Sequence, residues 1–178
     1  MRVNKIALNG FRNYEWDTAE FSGGTNVISG RNAQGKTNLL EAVYMLSCGR
    51  SFRTRFDREL TGFGYSAAEI LAEVTSHDRD QTIRIIMQPG TAKKITVNGV
   101  RKSAAELSEV INAVLFCPDD LNLIKEGAAV RRRLHGLPTS AAAMRSTSIS
   151  IKRLSSAYSS IYMHITRVYI TICMLFIV

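Results

Sequence analysis

The feature that most constrains this chain is a glycine-rich loop of the kind that binds phosphates. It fits the pattern G-x-x-x-x-G-K-T, with Gly30, Arg31, Asn32, Ala33, Gln34, Gly35, Lys36 and Thr37. In this pattern the glycines let backbone N–H groups curl around phosphates at a helix N-terminus, whose dipole favours anions. The lysine reaches the β- and γ-phosphates, and the hydroxyl beside it binds Mg²⁺. The loop therefore predicts a site for a nucleoside triphosphate, with Thr37 as the ligand of Mg²⁺.

The residues on both sides of the loop bear on whether it is genuine or a glycine-rich turn that matches by chance. Residues 26–29 (NVIS) have the composition of a short strand. After the loop, apolar residues recur at helical spacing and stop near Gly49; they are Leu39, Leu40, Val43 and Leu46. A strand before the loop and an amphipathic helix after it favour the phosphate-binding loop.

Between residues 69 and 100 the period of the apolar residues changes to two, which indicates strands. The alternating groups are Ile70, Ala72 and Val74, then Ile83, Ile85 and Met87, then Ile95 and Val97. Turn sequences separate them at residues 77–80, 88–90 and 98–99, and the last of these is the hairpin signal Asn-Gly. With an earlier strand around Ile6 and Leu8, the pattern predicts an α/β fold of the P-loop NTPase type with an antiparallel meander.

A short helix and a further strand are predicted after the meander. Ser103 and Glu106 form a capping-box pattern, which predicts a helix whose inward residues are Leu107, Val110 and Ile111. Residues 114–117 (VLFC) are typical of a buried strand that ends at Pro118.

The acid that follows this strand has two interpretations. Asp119 could hold Mg²⁺ as the carboxylate of a Walker B motif, since four apolar residues and then an acid are the pattern of that motif. Alternatively, the strand ends in a Pro-Asp turn in which Asp120 caps the next helix. No Ser/His/Asp or Cys/His spacing in the chain indicates a nucleophilic active site.

The charge of the chain favours an acidic partner. Twenty-three Lys and Arg against 15 Asp and Glu give a net charge of +8 and a pI of about 9.7, as expected for a protein that binds nucleotide or nucleic acid. Four arginines are concentrated after the predicted helix; they are Arg50, Arg53, Arg55 and Arg58. They could contact phosphates along a DNA backbone. Alternatively, they belong to a solvated loop in which Asp57 and Glu59 are their partners.

The acidic residues stop well before the end of the chain. All 15 lie between Glu15 and Glu126, whereas the charged residues within 134–178 are all basic. Because an ordinary domain mixes both signs, we divide the chain into a lobe at residues 1–133 and an anomalous tail at residues 134–178. The apolar run at residues 168–178 is shorter than the about 20 residues that a membrane helix needs, so no membrane partner is expected.

Cysteine usage and the N-terminus indicate the compartment. Cys48, Cys117 and Cys173 lie far apart and form neither a disulfide framework nor a zinc-binding pattern. The first residues contain no apolar run of the length of a signal peptide. Both observations favour the reducing cytoplasm.

The amino-acid sequence of the loop and of the residues around it closely resembles that of the RecF family of bacterial recombination mediators. The resemblance is carried by residues 9–14 (NGFRNY) and 21–44, which include NAQGKTNLLE at residues 32–41. It continues at residues 49–53 (GRSFR), 97–99 (VNG) and 115–121 (LFCPDDL), and it extends to about residue 133. The resemblance implies the N-terminal lobe of an ABC-type ATPase head like those of the SMC and Rad50 proteins.

The resemblance also implies cofactors, partners and site residues. Lys36 and Thr37 are the contacts to ATP and Mg²⁺, and Asn32, Gly35 and Asn38 shape the loop. Arg12 and Asn13 match a segment that lies beside the nucleotide. Family members bind single-stranded, gapped and junction DNA, dimerise with ATP, and act with RecO and RecR to load RecA in replication, repair and the SOS response. The resemblance places the Walker B acids later than Asp119, so it argues against that role.

After Arg133 the chain departs from the family pattern. Family members continue into a second lobe that carries the signature and Walker B motifs, whereas residues 134–178 contain no acid. Translation out of frame after Arg133 would produce this ending, and a genuinely divergent C-terminus is the alternative. We therefore expect ATP binding without useful hydrolysis. The rival hypotheses are a non-catalytic fragment that binds DNA or membranes, and an unrelated complete P-loop enzyme.

Overall fold

The computed structural model describes residues 1–116 and 174–177. The chain divides into two compact units, and the six-stranded sheet and the helices described below belong to the unit that includes Met1–Leu115. Its main layer is a six-stranded sheet of β1 Arg2–Phe11, β2 Tyr14–Glu20, β3 Ala68–Ser76, β4 Arg79–Met87, β5 Lys94–Val97 and β6 Val100–Arg101. The helices are α1 Lys36–Cys48, α2 Leu107–Val110 and a 3-10 helix at Asp57–Leu60, and a separate pair of strands joins β7 Ala113–Phe116 to β8 Met174–Ile177.

The six-stranded sheet is antiparallel throughout, in the order β2-β1-β3-β4-β5-β6. One face is apolar and fully buried, and the predicted alternating residues of the meander all lie on it. The register explains this, because Ala72 lies opposite Ile83 and Ile85 lies opposite Ile95. The predicted antiparallel meander is therefore confirmed.

The hairpin turns follow the turn chemistry of the sequence. Asn98 and Gly99 both have positive φ, of 50° and 80°, which the tight turn between β5 and β6 requires. The turn between β3 and β4 uses His77 and Asp78 with φ of 50° and 56°. Two-residue turns of this hand match the twist of the strands, so they fix the register of the meander.

The helix after the loop is confirmed as α1, and it ends as predicted. Gly49 adopts the left-handed conformation with φ of 65°, and its N–H donates to the Met45 carbonyl at 2.8 Å. The core face of α1 includes Ala42, Val43 and Leu46. Glu41, an acidic residue, is also fully buried on this helix.

Residues 26–29, predicted as a strand, form none. Val27 is 83% exposed, and no strand among the described residues pairs with this segment. A strand before a phosphate-binding loop is ordinarily buried within a parallel sheet, and its ladder needs a neighbour. The apolar composition of these residues therefore did not suffice to make a strand here.

Strand β2 was not predicted from the sequence. It lies at the edge of the sheet, and most of its side chains are exposed, with Trp16 at 67%. A strand that buries neither face does not need alternating apolar residues, so the sequence carries no period of two there. Its pairing with β1 shows how tertiary context decides such a segment.

The elements after the meander differ in detail from the prediction. The helix is the short α2, with Leu107, Val110 and Ile111 buried as expected. Glu106 accepts hydrogen bonds from Lys102 Nζ at 2.9 Å and from the Ser103 N–H at 2.7 Å, which lower the pKa of Glu106 to about 2. Strand β7 begins one residue earlier than predicted, and Leu115 is half-buried rather than buried.

The predictions for Cys117, Asp119 and Asp120 and for the tail at residues 134–173 fall outside the described residues. They stay predictions. Within the part of the chain that the structure describes, no helix is both long enough and apolar enough to cross a membrane.

Neighbouring isoleucines on β4 test the assignment of the two faces. Ile85 is fully buried, whereas Ile86 lies on the opposite face and is half-buried. Ile85→Ala should lower the free energy of unfolding by about 2–5 kcal/mol, because it leaves a cavity in the core. The matched variant Ile86→Ala should cost below about 1.5 kcal/mol. Urea unfolding followed by circular dichroism measures both, and equal losses would contradict the assignment.

Candidate functional site

The glycine-rich loop ends at the first turn of α1, and its backbone φ angles alternate between positive and negative values. Gly30, Ala33 and Gly35 have φ of 149°, 64° and 96°. Successive N–H groups in such alternating conformations point to one side and make an anion-binding concavity. Gly35 is the N-cap residue of α1, and no side chain caps the helix there. The backbone N–H groups of the first helical turn are therefore available to hydrogen-bond an anion bound at the loop.

The ammonium of Lys36 crosses the loop. Its Nζ donates to the carbonyl oxygens of Gly30 at 2.7 Å and Arg31 at 2.5 Å. An ammonium has three donors, so two carbonyl contacts leave one for an anion. Asn32, Ala33 and Gln34 form the exposed tip of the same loop. The structure thus brings together the predicted loop residues and the helix N-terminus in one place.

The turn between β1 and β2 supports the loop from one side. Tyr14 donates its hydroxyl to the Gly35 carbonyl at 3.1 Å, and Asn38 Nδ2 donates to Asn13 Oδ1 at 2.7 Å. Burial, reinforced by the charge of Asp17, raises the pKa of Tyr14, so the phenol keeps its proton and remains a donor. A Cβ atom on Gly35 would lie 2.8 Å from the side chain of Asn13. Close packing and a positive φ therefore both require glycine at residue 35.

A buried ion pair fixes this turn to α1. Arg12 donates through Nε and Nη2 to both carboxylate oxygens of Glu41, at 2.9 and 2.7 Å. The Glu41 side chain is 0% exposed and the Arg12 side chain 18%. Arg12 also donates through Nη1 to the Glu59 carbonyl at 2.9 Å. Arg12, which is predicted to lie beside the nucleotide, thus also makes a bidentate contact to α1, the helix that follows the loop.

The segment after α1 contacts the same carboxylate. Ser51 donates its hydroxyl to Glu41 and accepts from the N–H groups of Arg53 and Thr54, at 2.9 and 3.0 Å. Arg53 Nη1 donates to Asn38 Oδ1 at 2.6 Å and lies 3.5 Å from Glu41 Oε2. Glu41 therefore connects the β1–β2 turn, α1 and the arginine-rich segment.

Glu41, Ser51 and Tyr14 were missed in the sequence. A detectable signal for Glu41 was present, because this acid lies within the apolar run of α1, directly before Ala42 and Val43. A carboxylate in a buried position needs a cationic partner, so the pattern could have directed attention to an arginine nearby in space. No comparable signal marks Ser51 or Tyr14.

The four predicted DNA-contacting arginines are all exposed, and they differ in their contacts. Arg53 belongs to the Glu41 cluster, whereas Arg58 lies over the ring of Phe56, 5.1 Å from its centroid. Arg50 and Arg55 form no ion pair within residues 1–116.

The two carboxylates of this segment have other partners. Asp57 pairs with Lys93 at 2.8 Å, and Lys93 also donates to the Gly49 carbonyl at 2.7 Å. Glu59 accepts a hydrogen bond from the Thr54 hydroxyl. In the described structure neither acid neutralises an arginine, contrary to the alternative that made them the partners.

The metal prediction rests on Thr37 alone. Thr37 lies in the first turn of α1 and is half-buried. Among the described residues, no group of three His, Cys, Asp or Glu could hold a metal ion by itself. A hydroxyl is a ligand that suits Mg²⁺ when phosphate oxygens and water supply the other positions. The donor set therefore fits a metal that arrives with a nucleotide.

A sequence model of the AAA domain matches residues 5–138. The chain belongs to the AAA domain family. Among curated proteins it is similar to the "DNA replication and repair protein RecF" of Lachnospira eligens, at 43% identity over 134 residues. The same protein of Desulforudis audaxviator is 42% identical over 133 residues. Each match covers 75% of this chain and 37% of the relative, so the chain spans little more than a third of the length of these relatives.

Solved structures agree with the sequence matches. A structure of the recombination mediator RecF with ATP, in the RecFOR pathway, has 37% identity and a TM-score of 0.66, covering 75% of this chain and 37% of that chain. An SMC ATPase studied for ATP-driven dimerisation has 23% identity and a TM-score of 0.61, covering 74% of this chain and 95% of that chain. The latter shows the fold alone. The predicted resemblance to RecF over the N-terminal part is confirmed, and the fold is the N-terminal lobe of an ABC-type ATPase head.

The Glu41 cluster predicts an uneven response to the loss of carboxylates. Glu41→Ala leaves Arg12 buried without its partner, which should lower the free energy of unfolding by about 3–5 kcal/mol. The matched control is Glu69→Ala, which breaks an ion pair with the half-exposed Arg84 and should cost below about 1 kcal/mol. Chemical unfolding of both variants measures the difference. Equal costs would show that the buried pair does not fix the turn to α1.

Proposed function

We propose that this chain binds ATP as the nucleotide-binding lobe of a RecF-type DNA replication and repair protein. The observation that carries the proposal is the uncapped N-terminus of α1, which follows a loop of alternating backbone hand and has the Lys36 ammonium across it. This arrangement concentrates N–H dipoles and a positive charge where a polyphosphate would lie. The similarity to a RecF solved with ATP supports the same ligand.

Each residue of the loop has a proposed role. Backbone N–H groups of residues 30–36 would surround the β-phosphate, and Lys36 would exchange its carbonyl contacts for the β- and γ-phosphates. Thr37 would hold Mg²⁺ together with phosphate oxygens, and the ion would neutralise charge on them. One side of the nucleotide would be bordered by Arg12, Asn13 and Asn38. These residues already attach the β1–β2 turn to α1, the helix that follows the loop.

The partners are proposed from the family. We propose single-stranded, gapped and junction DNA as the nucleic acid, with Arg50, Arg53, Arg55 and Arg58 as contacts to phosphates. We further propose RecO and RecR as partners in loading RecA in the cytoplasm, with a part in the SOS response; ATP-dependent dimerisation is a property of the family. The lobe would comprise residues 1–133, and residues 134–178 would form a tail that does not match the family.

The charge of Lys36 should decide nucleotide binding. Lys36→Ala removes the cation that faces the β- and γ-phosphates, so binding of a fluorescent ATP analogue should fall below detection. Lys94→Ala removes the same charge from an exposed position on β5 and should leave binding unchanged. Equal affinity of wild type and Lys36→Ala would refute the assignment of the loop.

Hydrolysis of ATP should be absent or very slow. It requires an acid that organises Mg²⁺ and groups that position water and stabilise the transition state, beyond a phosphate-binding loop. Residues 134–178 contain no acid, and Glu41 is already paired with Arg12. Steady-state phosphate release with saturating Mg-ATP, with and without DNA, measures this. Turnover that disappears in both Asp119→Asn and Lys36→Ala would contradict the expectation and would identify a complete ATPase.

A further inference from the structure

The outer face of the six-stranded sheet lies opposite the core and carries an open groove of about 510 Å³. The groove is lined mainly by those alternate residues of β3, β4 and β5 that do not enter the core. Leu71 and Ile86 form its apolar part, and both are half-buried. Helix α1 packs on the other face of the sheet, within the core, so the groove is separate from the glycine-rich loop.

The register of the sheet places basic side chains along this groove. Arg84 on β4 lies opposite Thr96 on β5, which in turn lies opposite Arg101 on β6. Lys94 lies directly opposite Ile86. Residues opposite each other in adjacent strands share a face and have Cβ atoms about 5 Å apart. Basic and apolar side chains are therefore immediate neighbours on this face.

The sheet neutralises only part of this positive charge. Arg84 Nε lies 2.5 Å from the carboxylate of Glu69, with which it forms an ion pair. Lys94 and Arg101 are exposed and form no ion pair within residues 1–116. The free positive charge of the groove is therefore concentrated on β5 and β6, whereas its apolar part lies on β3 and β4.

We propose that this groove binds an acidic segment of a protein partner, with carboxylates on Lys94 and Arg101 and an apolar side chain against Leu71 and Ile86. Charge complementarity selects the acidic residues, since each free cation would gain a carboxylate. The half-buried aliphatic side chains select an apolar residue beside them, because the contact would remove further apolar area from water. An extended segment supplies both, since alternate side chains of a strand point to the same side.

The groove suits a peptide better than a nucleic acid. Glu69 lies opposite Ile86 and Glu73 lies opposite Thr82, so carboxylates border the groove along β3 and would repel a polyanion that crossed it. A peptide can place neutral residues beside these carboxylates, whereas a nucleic acid carries a charge at every phosphate. None of the described residues that line the groove is aromatic, so bases would find no ring on which to stack.

The experiment measures binding of the full chain to a fluorescently labelled peptide in which aspartates alternate with leucines. Wild type should bind this peptide, and its affinity should fall as salt rises, because exposed ion pairs are screened. Arg101→Glu should weaken binding by about tenfold or more, since it replaces an attraction with a repulsion. Ile86→Ala should weaken binding by about 3- to 10-fold through lost apolar contact, and it should leave the salt dependence unchanged.

The matched control is Arg79→Glu, which reverses the charge of an exposed arginine at the start of β4, outside the groove, and should leave peptide binding unchanged. Lys36→Ala should also leave it unchanged, because α1 packs on the opposite face of the sheet. Failure of the nucleotide assignment would therefore not affect this result. An unchanged circular dichroism spectrum would show that each variant is folded.

Three outcomes would overturn the proposal. In the first, wild type does not bind the peptide, or Arg101→Glu and Arg79→Glu weaken binding equally. In the second, Arg101→Glu abolishes binding of an oligothymidylate and leaves peptide binding intact, which would make the groove a site for nucleic acid. In the third, Arg101→Glu converts a dimer to a monomer in sedimentation experiments, which would show that this face joins two copies of the chain.

Discussion

The buried ion pair between Arg12 and Glu41 is the interaction on which the candidate site depends. A carboxylate without water needs its charge balanced and its oxygens hydrogen-bonded, and Arg12 and Ser51 do both. Because Arg12 lies in the β1–β2 turn and Glu41 lies on α1, the pair attaches the helix to the end of the sheet. The loop at the helix N-terminus is thereby held against Asn13 and Tyr14.

The same pair also determines the charge around the loop. Glu41 is one helical turn beyond Thr37, close enough that its charge would weigh against a polyphosphate if it were unpaired. Arg12 and Arg53 flank it, so the acid does not oppose an anion on the loop. Lys36 and the N-terminal dipole of α1 can then act without a competing negative charge.

The core residues and the residues of the candidate site lie on different parts of the fold. The apolar face of the sheet carries the core and supports α1 and α2, as an antiparallel sheet with one buried face allows. The side chains of the candidate site lie on the loop, the β1–β2 turn and the arginine-rich segment, which all meet at one end of α1 and β1. Connecting segments held by a rigid scaffold are where binding residues commonly lie.

The sequence alone determined the glycine-rich loop, the helix after it and the meander, because each depends on local chemistry or on a short period. Gly49 ends α1 and Asn98-Gly99 closes a hairpin for reasons contained in those residues. Tertiary structure decided the rest. Residues 26–29 have strand composition but no neighbour to pair with, whereas the polar β2 is a strand because β1 lies beside it. The role of Glu41 likewise required the fold, since only packing brings Arg12 and Ser51 to a carboxylate far away in the chain.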